Sequence, residues 1–109
     1  AVFSQPEIAS IGMSEEKASK SIGKDNFKVY KSIFRPLSKS IPKKGSKCIL
    51  KLIVDKNNDK VLGCHMIGDN ASEIIQMASI SLMLGAKKSD FDNTMALHPT
   101  IAEEFVTMR

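Results

Sequence analysis

Apolar and polar positions change period several times along this chain, and each change marks an element. Ile8 to Gly12 is a short apolar stretch followed by Ser14-Glu15-Glu16. A serine there can cap a helix, and acids in the first turn meet the positive end of the helix dipole. The helix that opens at about Ser14 should end near Gly23. Phe27, Val29, Lys31 and Ile33 then alternate with Lys28, Tyr30, Ser32 and Phe34, the period of a strand. Pro36 and Pro42 bracket a loop, Arg35 to Gly45, expected to be irregular and exposed. Cys48 to Val54 and Val61 to Ile67, separated by the polar turn Asp55 to Lys60, predict a β-hairpin. Asn70 or Ser72 opens a helix that runs through Leu84 and that Gly85 should close. Only Ser72, Gln76 and Ser79 form a clear polar stripe on it, so one side should lie on the sheet and another against a partner or neighbouring domain. The central core helix of a monomer would leave the same pattern. A helical turn at Lys88 to Asp92, a non-helical stretch and a last helix from about Thr100 complete the chain. Strands first, helices last and hairpin connections predict an α+β fold, a mostly antiparallel sheet covered by helices.

The 109 residues form one domain, enough for a core without disulfide or metal support but small for an oxidoreductase with two cofactors. Any complex chemistry must then be shared with further polypeptide. The start, Ala1-Val2-Phe3-Ser4-Gln5-Pro6, has no signal-peptide character and no initiator Met, which suggests a piece of something longer. No apolar run approaches the roughly 18 residues of a membrane span, so a soluble protein is expected. Cys48 and Cys64 form no CxxC and have no second pair to complete a metal site. Reduced core thiols are expected, which favours a cytoplasmic setting. The net charge of +4 comes from basic residues spread along the chain, and with one Tyr and no Trp the pattern speaks against a nucleic-acid binder.

The segment Phe91 to Val106 carries the candidate chemistry. Thr100 followed by Glu103 forms a capping box, in which side chains satisfy free amides at a helix start. Pro99 restricts His98 to an extended conformation, so the imidazole sits on a stiff turn ahead of that helix. A sharp turn there would also bring the Glu103 carboxylate to one nitrogen of His98, fixing its tautomer and leaving the other to exchange protons. Structural and acid/base readings of His98 both remain open on the residues alone, as do the cap and partner readings of Glu103. His65, in Gly63-Cys64-His65-Met66, is expected to be structural.

At this segment the sequence resembles the flavoprotein disulfide reductases, whose C-terminal dimerisation domain ends in HPTxxEE; here it is His98-Pro99-Thr100-Ile101-Ala102-Glu103-Glu104. The resemblance extends to Val2-Phe3-Ser4-Gln5-Pro6-Glu7-Ile8, to Phe34-Arg35-Pro36-Leu37 and to Val61-Leu62-Gly63-Cys64-His65-Met66, and so covers essentially the whole chain. Phe91-Asp92-Asn93-Thr94 and Glu104 to Arg109 are most similar to the glutathione-disulfide reductase branch. Trypanothione reductases are similar here too; dihydrolipoamide dehydrogenases are less so, because they carry a second histidine where this chain has Ala96.

The resemblance implies that residues 1–109 are the interface domain of a homodimer that uses FAD and NADPH to reduce glutathione disulfide, with each active site completed by the other subunit. It implies that His98 protonates the departing thiolate and Glu103 orients His98. Leu37, Thr100 and Glu104 would lie along the disulfide substrate. His98 and Pro99, through a cis peptide, would set backbone groups against the partner's FAD. No GxGxxG turn and no active-site cysteine pair is present, so both cofactors and the redox thiols are expected upstream, and the 109 residues alone are expected to be inert. A free-standing dimerisation module is the rival from another class, but it would have no use for a His-Pro turn followed by two carboxylates.

Overall fold

A computed structural model describes residues 1–2, 6–34, 47–98 and 100–109. Its strands are β1 (Ile8–Gly12), β2 (Phe27–Phe34), β3 (Cys48–Asp55) and β4 (Val61–Ile67); its helices are α1 (Glu15–Ile22), α2 (Ala71–Met83), α3 (Lys88–Asp92) and α4 (Glu104–Thr107). The strands form one antiparallel sheet in the order β1-β4-β3-β2. This is the expected α+β architecture. The loop predicted over residues 35–45 lies outside the described residues.

Register sorts the two faces. Leu50 pairs with Ser32 and Met66, and Leu52 with Tyr30 and Cys64, so these side chains share one face of the sheet. That face carries the core: Cys48, Leu50, Leu52, Cys64 and Met66 pack with Ala71 and Ile75 of α2 and with Phe91, Phe105 and Met108 from the C-terminal segment. On the opposite face Lys51 reaches Glu15 of α1 at 3.7 Å, and Ala18 and Ile53 are fully buried. The link between β1 and α1 passes very close to β4. A Cβ on Gly63 would lie 2.0 Å from the Met13 carbonyl oxygen, which excludes any side chain there.

Ser14 caps α1 as expected, accepting the Lys17 amide at 3.1 Å. At α2 the start differs from the sequence reading. Asn70 is in the left-handed region (φ 64) and makes no side-chain cap. The capping group is Glu7, whose Oε1 accepts from the Ser72 amide at 3.1 Å and the Ser72 hydroxyl at 2.7 Å. A carboxylate from 65 residues away thus does what a local Asn or Ser was expected to do. The other end follows expectation: Gly85 adopts φ 73, Ala86 N–H donates to Ser81 and Gly85 N–H to Leu82, the paired bonds of a Schellman closure.

The hairpin turn also holds α3. The Asp59 carbonyl accepts from Lys88 N–H at 2.7 Å, and its carboxylate from Ser89 N–H at 2.9 Å. Lys88, only 3% exposed, bonds through its ammonium to Asp92 and to the Met108 carbonyl at 2.6 Å, and lies 4.5 Å above the Tyr30 ring. The last helix is shorter than expected: residues 101–103 form a turn, and α4 begins at Glu104. Among the described residues no helix is long and apolar enough to cross a membrane.

Candidate functional site

The segment after α3 is clamped at both ends. At its start the Thr94 hydroxyl donates to the Asp90 carbonyl at 2.7 Å. At its far end Phe105 and Met108 are buried, and Arg109 bonds to Asp92 at 3.0 Å. Between them Met95, Leu97, His98 and Thr100 are exposed, whereas Ile101 packs against the core.

Within it the capping box and the imidazole partnership coexist. Thr100 N–H donates to Glu103 Oε2 at 3.0 Å while Glu103 N–H donates to Thr100 Oγ1 at 3.2 Å. The same carboxylate accepts from His98 Nδ1, 3.0 Å from Oε2 and 3.2 Å from Oε1. Because a carboxylate only accepts, Nδ1 carries the hydrogen, and Nε2 is the ring nitrogen left for other groups. The His98 side chain is 74% exposed and that of Glu103 15%, so the imidazole stands proud of a shielded partner. The Glu103 carboxyl is held below the usual carboxylate range, first by the Thr100 amide and then by His98. Such a pair can exchange a proton at Nε2 with a group brought to the surface.

Of the other candidates, Thr100 is exposed and engaged in the cap, and Glu104 Oε1 accepts from the Ser32 hydroxyl at 2.9 Å. Leu37 and Pro99 lie outside the described residues, and with them any statement on the His98-Pro99 peptide. His65 is tied at both nitrogens: Ser10 Oγ lies 2.8 Å from Nδ1 and the Met13 carbonyl 2.8 Å from Nε2. The carbonyl must accept, so Nε2 bears the hydrogen and Nδ1 accepts from Ser10, a structural role as expected. Cys48 and Cys64 are free and buried, their thiols pushed up to about 11 and about 12, chiefly by burial. Ser32 and Lys88 escaped the sequence reading. The Lys88/Asp92 spacing of four was a visible signal for the latter; Ser32 had none.

The pyridine nucleotide-disulphide oxidoreductase dimerisation domain matches residues 1–109. The chain belongs to this family. It is 48% identical over 109 residues to a glutathione reductase of Nostoc sp., 45% to one of Burkholderia cepacia and 42% to one of Yarrowia lipolytica, in each case over 100% of this chain. The domain spans about a quarter of the length of these relatives, 24%, 24% and 23% respectively.

Among the described residues no buried side-chain nitrogen or oxygen lacks a hydrogen-bond partner. A cleft of about 290 Å³ opens on the sheet face away from the core, lined by Ser10, Lys31, Lys51 and His65 among others, and does not include His98.

Proposed function

We propose that this domain completes the active site of a dimeric, NADPH- and FAD-dependent reductase of glutathione disulfide by lending His98, oriented by Glu103, to the other subunit. The observation that supports this most is the His98 Nδ1 to Glu103 contact at 3.0 Å beneath an outward imidazole. In this reading residues 1–109 are the interface domain, and both cofactors and the reactive thiols belong to upstream parts of the polypeptide. NADPH and FAD, held there, would supply the electrons.

A thiolate of the partner attacks one sulfur of the substrate, and the S–S bond breaks with its electron pair on the departing sulfur. His98, protonated at Nε2, gives that sulfur its proton, and the departing glutathione leaves as the thiol. Leaving-group basicity limits thiol–disulfide exchange, so a proton delivered at this point speeds it. Glu103 fixes the tautomer and balances the imidazolium charge; its own low-lying carboxyl stays ionised throughout. Thr100 and Glu104 would line the substrate; the same role for Leu37, and a His98-Pro99 backbone set against the partner's flavin, rest on the family resemblance alone. Glutathione is favoured over trypanothione because the relatives above carry the name glutathione reductase.

Dimerisation is supported by an apolar face on α2 and beyond it. Met77, Ile80, Met83 and Leu84 are exposed, as are Met95 and Leu97 just before His98. A two-fold axis beside α2 would cover this surface with its copy. A cytoplasmic setting fits two reduced thiols.

Hybrid dimers test the lending of His98. One full-length subunit carries His98→Gln and the other lacks the upstream thiols, so each parent homodimer is inactive. If His98 serves the other subunit, the hybrid has one intact site and mixing restores glutathione disulfide reduction. If His98 serves its own subunit, mixing restores nothing and the proposal fails.

A further inference from the structure

Ser32 lies on β2, and its hydroxyl donates to Glu104 Oε1 across 72 residues at 2.9 Å in a partly buried position. Among the described strands β2 lies at one edge, and the face it turns to the core carries Tyr30, Ser32 and Phe34 opposite Leu52, Leu50 and Cys48. That row meets the C-terminal segment twice. Tyr30 lies under the Lys88 ammonium, which also holds the Met108 carbonyl, and Ser32 holds the first residue of α4. A single hydroxyl therefore ties this strand to the carboxylate proposed as a substrate contact.

We infer that Ser32 is a positioning residue for the disulfide substrate: it fixes the Glu104 carboxylate through Oε1 and leaves Oε2 to accept from an amide N–H or ammonium group of a peptide disulfide. The inference rests on the reading of Glu104 as a substrate contact. A carboxylate has about four acceptor sites, so one bond to Ser32 leaves capacity for a ligand. A free glutamate must be ordered when substrate arrives, whereas one already held was ordered on folding. Releasing it weakens binding by about 3- to 10-fold, the scale of immobilising one long side chain. The effect should fall on substrate binding, because Ser32 touches neither His98 nor Glu103.

The test is steady-state kinetics of the full-length enzyme with Ser32→Ala, Ser32→Thr, Glu104→Gln and the Ser32→Ala/Glu104→Gln double variant, with thermal unfolding and flavin content measured alongside. The expected result is a KM for glutathione disulfide about 3- to 10-fold higher in Ser32→Ala. The KM for NADPH stays unchanged, Ser32→Thr, which keeps the hydroxyl, restores the wild-type value, and Ser32→Ala adds no further rise in the Glu104→Gln background. A raised KM in Glu104→Gln with none in Ser32→Ala overturns the inference and leaves Glu104 a substrate contact. So does a rise in the double variant equal to the product of the two singles. A parallel loss of turnover, flavin and melting temperature in Ser32→Ala that Ser32→Thr does not repair makes the hydroxyl purely structural. If Glu104→Gln leaves KM untouched, the Glu104 reading falls first and the inference with it.

Discussion

Replacing Lys88 with methionine keeps the volume of a buried side chain and removes its charge. In the wild type the ammonium, 3% exposed, joins the Asp92 carboxylate to the Met108 carbonyl, so one group ties the end of α3 to the end of the chain. Breaking a buried ion pair by deleting one partner costs about 3–5 kcal/mol. Two features bring this case to or below the lower end of that range. The Asp92 side chain is 30% exposed, and Arg109 Nη1 stays within 3.0 Å of it and 3.1 Å of the Met108 carbonyl. The expected loss is about 2–3 kcal/mol, or about 8–15 °C in melting temperature for a domain of this size. Urea and thermal unfolding of the domain followed by circular dichroism measure it directly, with an unchanged denaturant slope as the check on two-state behaviour. Adding Asp92→Asn should recover about 1 kcal/mol or more, because the stranded carboxylate is what makes the single variant expensive. A single variant within about 0.5 kcal/mol of wild type, the range of an ordinary surface substitution, refutes the clamp. So does a double variant less stable than the single.

Three further outcomes follow from the same contacts. His65 has its pKa lowered from 6.5, mainly by burial, so the folded state resists protonation; its contribution to stability is complete above 6.5 and is lost as pH falls through the lower folded value. Subtracting the pH–stability curve of His65→Asn from that of the wild type should reveal that loss, and parallel curves would contradict it. With thiols at about 11 and about 12, Cys48 and Cys64 should resist alkylation at pH 8 until the domain unfolds; fast labelling of the native form would show that they are not sealed. Met83 and Leu84, at the C-terminal end of α2, are 87% and 82% exposed, so glutamate at both positions should leave the melting temperature of the isolated domain within about 2 °C and yet dissociate the full-length dimer in sedimentation velocity. An intact dimer would move the interface elsewhere.

What was legible beforehand was local. Ser14 before two acids, the alternation from Phe27 to Phe34, the polar turn between two β-rich runs and Gly85 after an apolar helix each set structure within a few residues. Thr100 and Glu103 announced a cap by their spacing, and the cap folds the chain tightly enough for the same carboxylate to reach His98. Long-range assignments were hidden. Glu7 capping α2, Asp59 capping α3 and Ser32 holding Glu104 join residues 65, 30 and 72 positions apart, and no local pattern encodes such partners. The last helix was read as too long because Thr100 and Glu103 look like the start of one; in the fold they close a turn, and α4 begins only at Glu104. The spacing of Lys88 and Asp92 is visible in the sequence, but the burial of Lys88 depends on the Met108 carbonyl, a partner that only tertiary structure supplies.

The most direct test of the central claim is turnover of glutathione disulfide by the full-length enzyme, wild type beside His98→Gln, with flavin content and dimerisation measured in both. The account predicts a fall in kcat of about 100-fold or more with flavin and dimer retained, the scale of a lost general acid. Turnover unchanged in His98→Gln would make the imidazole structural and contradict the account.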